Sequence, residues 1–548
     1  MSLEILTISE KDRTPLVDAL LRKLEERDQR IEELMEAVQL LKEENQVLKD
    51  EIAKLKKTSG RPKFTKTNSK KQSGQIKKRP GSEKKSKKGS LRVDEVKCVT
   101  PANLPPGAKL KRQRSFIVQE LVMQSRNTKY ILEEYVGPDG ESYSAQIPNG
   151  VAQGHFGLGL IKFILYQYHH CQVTQPLLRE MLSEIGIDIS SGKINEILTE
   201  NLLEFHHEKD EILRKGLEIS AWIQTDDTGA RHQGKTGYCT HIGNDLFAWF
   251  GSTDSKSRIN FLKILGSPFG SGYELTPTAL KYMRQEKLPK IPLSKLEGSI
   301  PRRFDDEESW LGWLNELGII KKRHIRIATQ GALLGGAIEC GLNPELIILS
   351  DDAGQFNVPL MMHALCWVHA IRHIKKLVPP TDKARIARDQ ALSDAYGLYA
   401  LLKQFRDCST AKKSQEIEVE FDALFERKTA YATLNLLLKR IYRNKSELLL
   451  VLAHPEIPLH NNASEGDIRE FVKRRKVSGG TRSSSGRYSR DTFASLKKTC
   501  RKLAVSFWDF LGDRLAATNL IPSLPELMSQ KAAEYSLISS TSRNIVAG

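Results

Sequence analysis

The order of the apolar segments between residues 219 and 350 constrains the fold most strongly. Three short segments rich in β-branched and aromatic residues follow one another closely, at 219–225, 237–242 and 246–250. A fourth, 345–350, comes only after a long helical and irregular stretch. The close spacing predicts three consecutive antiparallel strands, and the distant fourth strand can lie beside the first in the same sheet. The sequence therefore predicts an α/β domain built on this sheet.

Acidic residues follow two of these strands. Asp226 and Asp227 end the first strand and Asp351 and Asp352 end the fourth, while Glu465 lies on a later helix. Three converging carboxylates repel one another unless they share a cation, and hard ions such as Mg²⁺ or Mn²⁺ take oxygen ligands. Two such ions promote in-line displacement at a phosphodiester. Each aspartate pair can also cap a turn or a helix, so the pattern alone leaves both interpretations open.

The helix that carries Glu465 is otherwise basic. Arg469, Lys473, Arg475 and Lys476 follow Glu465 along the chain. These cations are candidate contacts for a DNA phosphate backbone beside the acidic site. The alternative is that Glu465 is only an ion-pair partner for its neighbours.

One short segment holds most of the net charge of +17. Residues 57–93 are rich in Lys, Ser, Gly and Pro and poor in apolar residues, which predicts a disordered basic arm that binds polyanions. A solvated linker that only aids solubility is the alternative. The candidate DNA-binding residues of the arm are Lys77, Lys78, Arg79, Lys84 and Lys85.

A heptad pattern over residues 17–55 predicts a coiled-coil dimerisation helix within residues 12–56. The d positions are mostly Leu, and the a position Asn45 would fix register and a dimeric state. A single helix folded onto the protein's own core is the alternative. The a positions are Val17, Leu24, Ile31, Val38, Asn45 and Ile52, and the d positions are Leu20, Arg27, Leu34, Leu41, Leu48 and Leu55.

The remaining regions have weaker patterns. Residues 94–150 predict a small β region with strands at 115–121, 129–135 and 143–147. The pattern over residues 151–212 predicts helices in a helix-turn-helix-like arrangement. This segment is a candidate for DNA binding. The α/β domain with the acidic residues is predicted over 213–515 with insertions at about 256–325 and 383–452, and 516–548 is predicted to form a C-terminal tail. A helix from Val358 is predicted to carry His363, Cys366, His369 and His373.

Several classes of protein are excluded. No run of about 18 apolar residues occurs, and the N-terminus is charged rather than signal-like. The seven cysteines are scattered and none forms a CxxC pair, which indicates reduced thiols in a cytosol rather than a disulfide framework. The sequence therefore predicts neither a membrane protein nor a disulfide-rich secreted protein.

A family resemblance follows from motifs spread over most of the chain in order. The motifs are Thr225–Thr228 with Gly234–Tyr238, Leu349–Gly354, Cys366–Ala370, and Asn461–Arg469 with Arg475 and Lys476. Together they resemble the bacterial transposases of the insertion-sequence-66 family. The resemblance implies a DDE triad formed by Asp226, Asp351 and Glu465 in an RNase H-like domain that uses two Mg²⁺ or Mn²⁺ ions.

The implied architecture is multidomain α+β. It comprises an N-terminal coiled coil, a disordered basic linker, a small β region, a helical helix-turn-helix-like segment and an RNase H-like α/β catalytic domain with helical insertions. The implied reaction cuts phosphodiester bonds at the ends of the element and joins the 3′-hydroxyl to target DNA. The implied partners are DNA, a second copy of the chain and small accessory proteins of the same element, in a bacterial cytoplasm near the nucleoid.

The resemblance implies a small zinc-ribbon-like region with paired cysteines at residues 94–150. This chain departs from that pattern, because Cys98 is the only cysteine there. We therefore predict no zinc, and we expect Cys366 and His369 to have a packing role because one Cys and several His on one helix lack the spacing of a structural zinc site. Two alternative functions stay open. One is an inactive, dimeric DNA-binding regulator, and the other is a metal-dependent nuclease without strand transfer.

Overall fold

The computed structural model describes residues 93–546, except 101, 102, 104, 106, 107, 111, 148–151 and 154. The chain divides into two compact units, residues 1–119 and 120–548. The predicted coiled coil and all but the last residue of the basic arm lie outside the described residues, so both stay predictions. The described residues of the first unit form no helix or strand.

The second unit begins with short strands followed by four helices. These are β1 (Glu134–Val136), β2 (Ser142–Ser144), β3 (Ala152–Gln153), β4 (Phe156–Gly157), α1 (Leu158–His169), α2 (Gln175–Glu184), α3 (Ser191–Thr199) and α4 (Leu203–Ile219). β1 and β2 form an antiparallel hairpin around a turn in which the Gly140 N–H donates to the Gly137 carbonyl oxygen. The strand predicted at 115–121 was wrong, because its apolar side chains, such as Phe116 at 90% exposure, have no core to cover.

A five-stranded mixed sheet lies at the centre of this unit. Its strands are β5 (Trp222–His232), β6 (Lys235–Gly243), β7 (Ala248–Thr253), β10 (Ile347–Ser350) and β11 (Met362–Leu365), in the order β11-β10-β5-β6-β7. β5, β6 and β7 are antiparallel, and β10 pairs in parallel with both β5 and β11. The predicted adjacency of the first and fourth strands is confirmed.

Two strand predictions need correction. Residues 362–365 form the fifth strand, not part of a helix from Val358, and the helix begins only at Trp367. A run of four residues is too short for its periodicity to separate strand from helix. β5 also continues to His232, because β6 pairs with it along that length, so Asp226 lies within the strand.

The predicted insertion at about 256–325 packs into the main core. Its elements are α5 (Arg258–Gly266), a 3₁₀ turn (Ser267–Phe269), β8 (Tyr273–Leu275), α6 (Pro277–Gln285), α7 (Lys290–Glu297), β9 (Arg302–Phe304) and α8 (Glu307–Glu316), and α9 (Lys322–Glu339) follows. Tyr273, Trp310 and Trp313 belong to the same apolar cluster as Ile223 of the sheet. The segment is therefore part of the domain that positions the site.

A helical block separates β11 from the acidic helix. It contains α10 (Trp367–Lys375), α11 (Asp382–Asp407), α12 (Ala411–Phe425), α13 (Ala432–Arg443), α14 (Lys445–Leu448) and a 3₁₀ turn (Leu450–Leu452). The block has an apolar core of its own, which includes the buried Trp367. The Trp367 indole N–H donates to the Leu448 carbonyl oxygen at 2.8 Å, so the far end of the block returns to the end of β11.

The chain ends with α15 (Asn462–Ser478), α16 (Ser484–Lys502), α17 (Phe507–Ala516) and α18 (Leu524–Val546). Side chains alternate between the two faces of the sheet. Ile223 and Ile348 face the large core formed with α4, α5 and α9. Phe250 faces the other way, where Phe471 of α15 packs against it with ring centroids 5.8 Å apart. No helix of the described residues is long and apolar enough to cross a membrane.

A polar stripe on α16 covers the free edge of β7. The backbone N–H groups of Ala248, Phe250 and Ser252 donate to Thr499, Ser495 and Asp491 at 3.2, 2.9 and 2.8 Å, respectively. The three acceptors are four residues apart and so share one helix face. The stripe satisfies edge-strand groups that are otherwise costly to bury.

We expect Thr499→Val to lower the free energy of unfolding by about 1–3 kcal/mol. Valine has the same shape but leaves the buried N–H and C=O of Ala248 without the bonds that the Thr499 hydroxyl provides. Thr433→Val is the matched control, because Thr433 is exposed on α13. Denaturant unfolding of both variants measures the difference, and equal midpoints would contradict this role of the stripe.

Candidate active site

Asp226 and Asp351 lie side by side on adjacent parallel strands. In the register of β5 and β10, Leu349 is opposite Gln224, so the two aspartates follow at matching positions. Burial raises the pKa of the Asp226 carboxyl to about 7, and the charges of Asp351, Asp227 and Glu465 add to this effect against an opposing hydrogen bond from the Asp227 backbone. The three predicted acidic residues are therefore close enough to interact electrostatically.

The second aspartate of each pair has other partners. The Asp227 carboxylate accepts hydrogen bonds from the Thr240 hydroxyl at 2.6 Å and from the Gln355 side-chain amide at 2.9 Å. Asp352 forms an ion pair with Arg440 of the helical block. These contacts occupy Asp227 and Asp352 and favour Asp226 and Asp351 as the members that face the site.

The start of α15 is attached to β5 by side-chain amides. The Gln224 amide donates to the His460 carbonyl oxygen and accepts from the Ser464 N–H, each at 3.1 Å. The Asn461 side chain donates to the Thr225 carbonyl oxygen at 2.9 Å. Gln224 and Asn461 are almost fully buried, so these bonds are made away from water. They place the first turn of α15 directly beside the strand that carries Asp226.

His241 of β6 adds a second attachment. Its Nδ1 lies 2.7 Å from the Ser464 hydroxyl, and its Nε2 lies 3.4 Å from the Asp467 carboxylate. Lys498 and Lys502 of α16 contact Asp467 at 3.4 and 3.0 Å. Although burial opposes it, the contacts with His241 and the two lysines hold the pKa of Asp467 well below its ordinary value. The charged Asp467 therefore joins α15 to both the sheet and α16.

The Cys366-x-x-His369 motif also acts on α15. The buried Cys366 thiol accepts a hydrogen bond from the Asn461 N–H at 3.3 Å. The Glu465 Oε1 atom lies 3.5 Å from His369 Nε2 and 3.7 Å from a terminal nitrogen of Arg372. Cys366 has the expected buried position, whereas His369 contacts the acidic residue itself.

The predicted cations of α15 divide into two groups. Arg469, Lys473 and Lys476 are exposed. Arg475 is half-buried and donates to the Gly229 carbonyl oxygen, so it holds α15 against β5. The arm residues Lys77, Lys78, Arg79, Lys84 and Lys85 lie outside the described residues, and their role stays a prediction.

The donor atoms at this site fit a hard divalent cation. They are carboxylate oxygens, and Glu465 Oε1 is buried without a hydrogen-bond partner among the described residues. As the side chains are placed, no group of three His, Cys, Asp or Glu residues in the described part of the chain could hold a metal ion. The Glu465 carboxylate instead contacts His369 and Arg372 of α10.

The comparisons with known proteins agree with these motifs. The family model described as "Transposase IS66 family" matches residues 347–488, which include Asp351, the helical block and Glu465. A protein of Sinorhizobium fredii (strain NBRC 101917 / NGR234), described as the uncharacterized protein y4jO, is 39% identical over 325 residues, which cover 59% of this chain and 100% of that protein. This chain belongs to the IS66 family of transposases. The resemblance inferred from the sequence motifs is therefore confirmed.

Sequence reasoning did not identify the residues that position the acidic helix of this IS66-family protein. Gln224, His241 and Arg372 carry no motif that distinguishes them from ordinary polar residues. Asn461 and Cys366 lie inside the motifs that carry the resemblance, and that position was the only available signal. Their partners are far away in sequence, so no periodicity could reveal them.

We expect Gln224→Leu to loosen the first turn of α15. The substitution removes both hydrogen bonds of the Gln224 amide, and amide hydrogen exchange at Ser464 should become about tenfold faster or more. Gln390→Leu is the control, because Gln390 is exposed on α11 and its side chain donates to the nearby Asp394 carboxylate. Unchanged exchange at Ser464 in the first variant would show that Gln224 does not hold the helix.

The raised pKa of Asp226 predicts a pH-dependent effect of Asp226→Asn in EDTA. Below pH 4 the carboxyl is protonated in the folded and unfolded states, so the substitution changes little. Between pH 4 and 7 only the unfolded state ionises, and the wild-type protein loses stability that the neutral amide retains. The gain in unfolding free energy of the variant should therefore rise with pH and level off above 7, at up to about 4 kcal/mol. A gain that is independent of pH would contradict the shift.

Proposed function

We propose that this transposase cuts phosphodiester bonds at the ends of its element and joins the freed 3′-hydroxyl to target DNA, with Asp226, Asp351 and Glu465 as the catalytic carboxylates. The observation that carries the proposal is the pairing of β10 with β5, which brings two distant aspartates together. The attachment of α15 by Gln224 and Asn461 supplies the third carboxylate from the side.

The proposal includes an RNase H-like catalytic fold. Three antiparallel strands followed by two parallel strands, in the order β11-β10-β5-β6-β7, support it. The helical block between β11 and α15 supports the inserted segment that the sequence motifs imply.

Asp226, Asp351 and Glu465 would hold Mg²⁺ or Mn²⁺, and two such ions would activate the attacking oxygen and stabilise the leaving oxygen. To bind such an ion together with the aspartates, the Glu465 carboxylate must leave His369 and Arg372 and turn toward them. Asp226 must also lose its proton to bind the ion. Because its pKa is about 7, the ionised fraction of Asp226 increases as the pH rises.

DNA binding is assigned to the surface beside the site. Arg469, Lys473 and Lys476 extend from Glu465 along the exposed side of α15 and would contact phosphates. The basic arm and the α1–α3 region would add contacts to the element end. Within that region, the Ser190 hydroxyl caps α3 by accepting a hydrogen bond from the Lys193 N–H at 3.1 Å. Dimerisation through residues 12–56 and the use of accessory proteins are further parts of this proposal.

We expect Asp226→Asn, Asp351→Asn and Glu465→Gln each to lower cleavage and strand transfer by at least about 100-fold. The assay uses a duplex that carries an end of the element, target DNA and Mg²⁺. Asp352→Asn is the matched control, since its carboxylate is paired with Arg440. DNA binding of all four variants should be retained.

The products distinguish the alternatives. Cut ends without joined strands in the wild-type protein would favour a nuclease. Undiminished function in all three variants would favour a DNA-binding regulator whose acidic residues have no catalytic role.

A further inference from the structure

The far end of β5 makes contacts that the acidic site does not use. The β5–β6 hairpin turns at Gln233 and Gly234, which both have positive φ, as in a two-residue hairpin turn. The chain segment after α15 lies along the β5 edge of this hairpin. The Thr481 N–H donates to the Arg231 carbonyl oxygen at 3.0 Å, and the Gln233 N–H donates to the Thr481 carbonyl oxygen at 2.8 Å.

Glycine makes this close approach possible. A Cβ atom on Gly480 would lie 2.5 Å from the Arg231 carbonyl oxygen, closer than such atoms approach in proteins. The preceding Gly479 has φ of 71° and ends α15. The His232 ring also bonds the Thr481 hydroxyl, with Nδ1 and Oγ1 2.9 Å apart. The segment 479–481 is therefore held on the hairpin by backbone and side-chain bonds.

Four exposed cations surround this junction, and we call them the hairpin surface: Arg231, Lys235, Lys476 and Arg482. Among the described residues, none of the four lies within 4.0 Å of a carboxylate oxygen. In contrast, Arg487 in the first turn of α16 pairs with Asp254 at 2.8 Å. Like charges held together without acidic partners create a positive potential that attracts an anion.

The surface continues the cations of α15 away from the acidic site. Lys476 follows Glu465 by 11 residues on the same helix, a rise of about 16 Å at 1.5 Å per residue. At about 3.4 Å per nucleotide of one strand, this separation corresponds to roughly five base pairs of duplex. A straight duplex that runs along α15 with a phosphate at the acidic site would therefore reach the hairpin surface.

We propose that the hairpin surface binds the DNA phosphate backbone about five base pairs from the bond that is cut. The proposal rests on the proposed function, because it takes the acidic site as the place of cleavage. The contacts are with phosphates, so they add affinity and hold the duplex in register without reading its sequence. An acidic protein partner is the competing occupant, and the experiment below separates it from DNA.

The test is the salt dependence of duplex binding by the full chain in EDTA, where no cleavage is possible. Each phosphate contact adds about 0.9 to the slope of log affinity against log salt concentration. The triple variant Arg231→Ala, Lys235→Ala and Arg482→Ala should therefore have a slope smaller by about 2.7. The matched control is Lys383→Ala, Lys403→Ala and Lys428→Ala, which removes three exposed cations of the helical block and should leave the slope unchanged.

Gly480→Ala tests the geometry with all four charges intact. The added Cβ should displace segment 479–481, increase amide exchange at Gln233 and Thr481, and weaken duplex binding. If the triple alanine variant is too unstable to assay, substitution of the same residues by Gln keeps the aliphatic parts of the side chains. It should reduce the slope of log affinity against log salt concentration by the same amount.

An unchanged slope in the triple variant, with normal folding, would overturn the proposal and leave an acidic protein partner as the occupant of this surface. That outcome is separate from the proposed function, because cleavage depends on Asp226 and is measured with metal present. Normal cleavage dependence on Asp226 together with an unchanged slope would retain the proposed function and reject the hairpin surface.

Discussion

The attachment of α15 to β5 is the interaction on which the site depends. Residues on the strand and helix are more than 230 positions apart, and the buried amides of Gln224 and Asn461 join them by three hydrogen bonds. Unpaired buried amides are costly, so the helix start has few alternative positions. The helical block between them begins and ends close to β11, because the Trp367 indole donates to the Leu448 carbonyl oxygen. The sheet thus fixes the start of the helix that carries Glu465, whereas His369 and Arg372 of α10 contact its carboxylate.

Electrostatics influence both the protonation and the orientation of the carboxylates at the candidate site. Burial and neighbouring carboxylates favour a protonated Asp226, while His369 and Arg372 hold the Glu465 carboxylate toward α10. Both features reduce the repulsion among three acidic groups in the absence of a cation. A divalent ion would reduce the same repulsion more completely and favour the ionised, converged arrangement.

The sequence predicted the parts of the fold that have a local signal. Three closely spaced strands, the distant fourth strand and the Glu465 helix all have characteristic periodicity or motifs, and the structure contains them. The strand Met362–Leu365 was missed because four residues give no clear period, and the length of β5 because its continuation depends on pairing with β6. The contacts of Gln224, His241 and Thr499 are between residues far apart in sequence, so only the folded chain could reveal them. Within the aspartate pairs, the family resemblance implied Asp226 and Asp351, and the partners of Asp227 and Asp352 favour the same choice.

Binding of Mn²⁺ to the full chain, measured by electron paramagnetic resonance of the free ion, tests the central claim most directly. The account predicts that the wild-type protein binds Mn²⁺ more tightly at pH 8 than at pH 6, because Asp226 with a pKa of about 7 must lose its proton. It also predicts at least about tenfold weaker binding in Asp226→Asn and in Asp351→Asn, with little change in Asp352→Asn. Equal Mn²⁺ affinity in all four proteins would contradict the assignment of these carboxylates to a metal site.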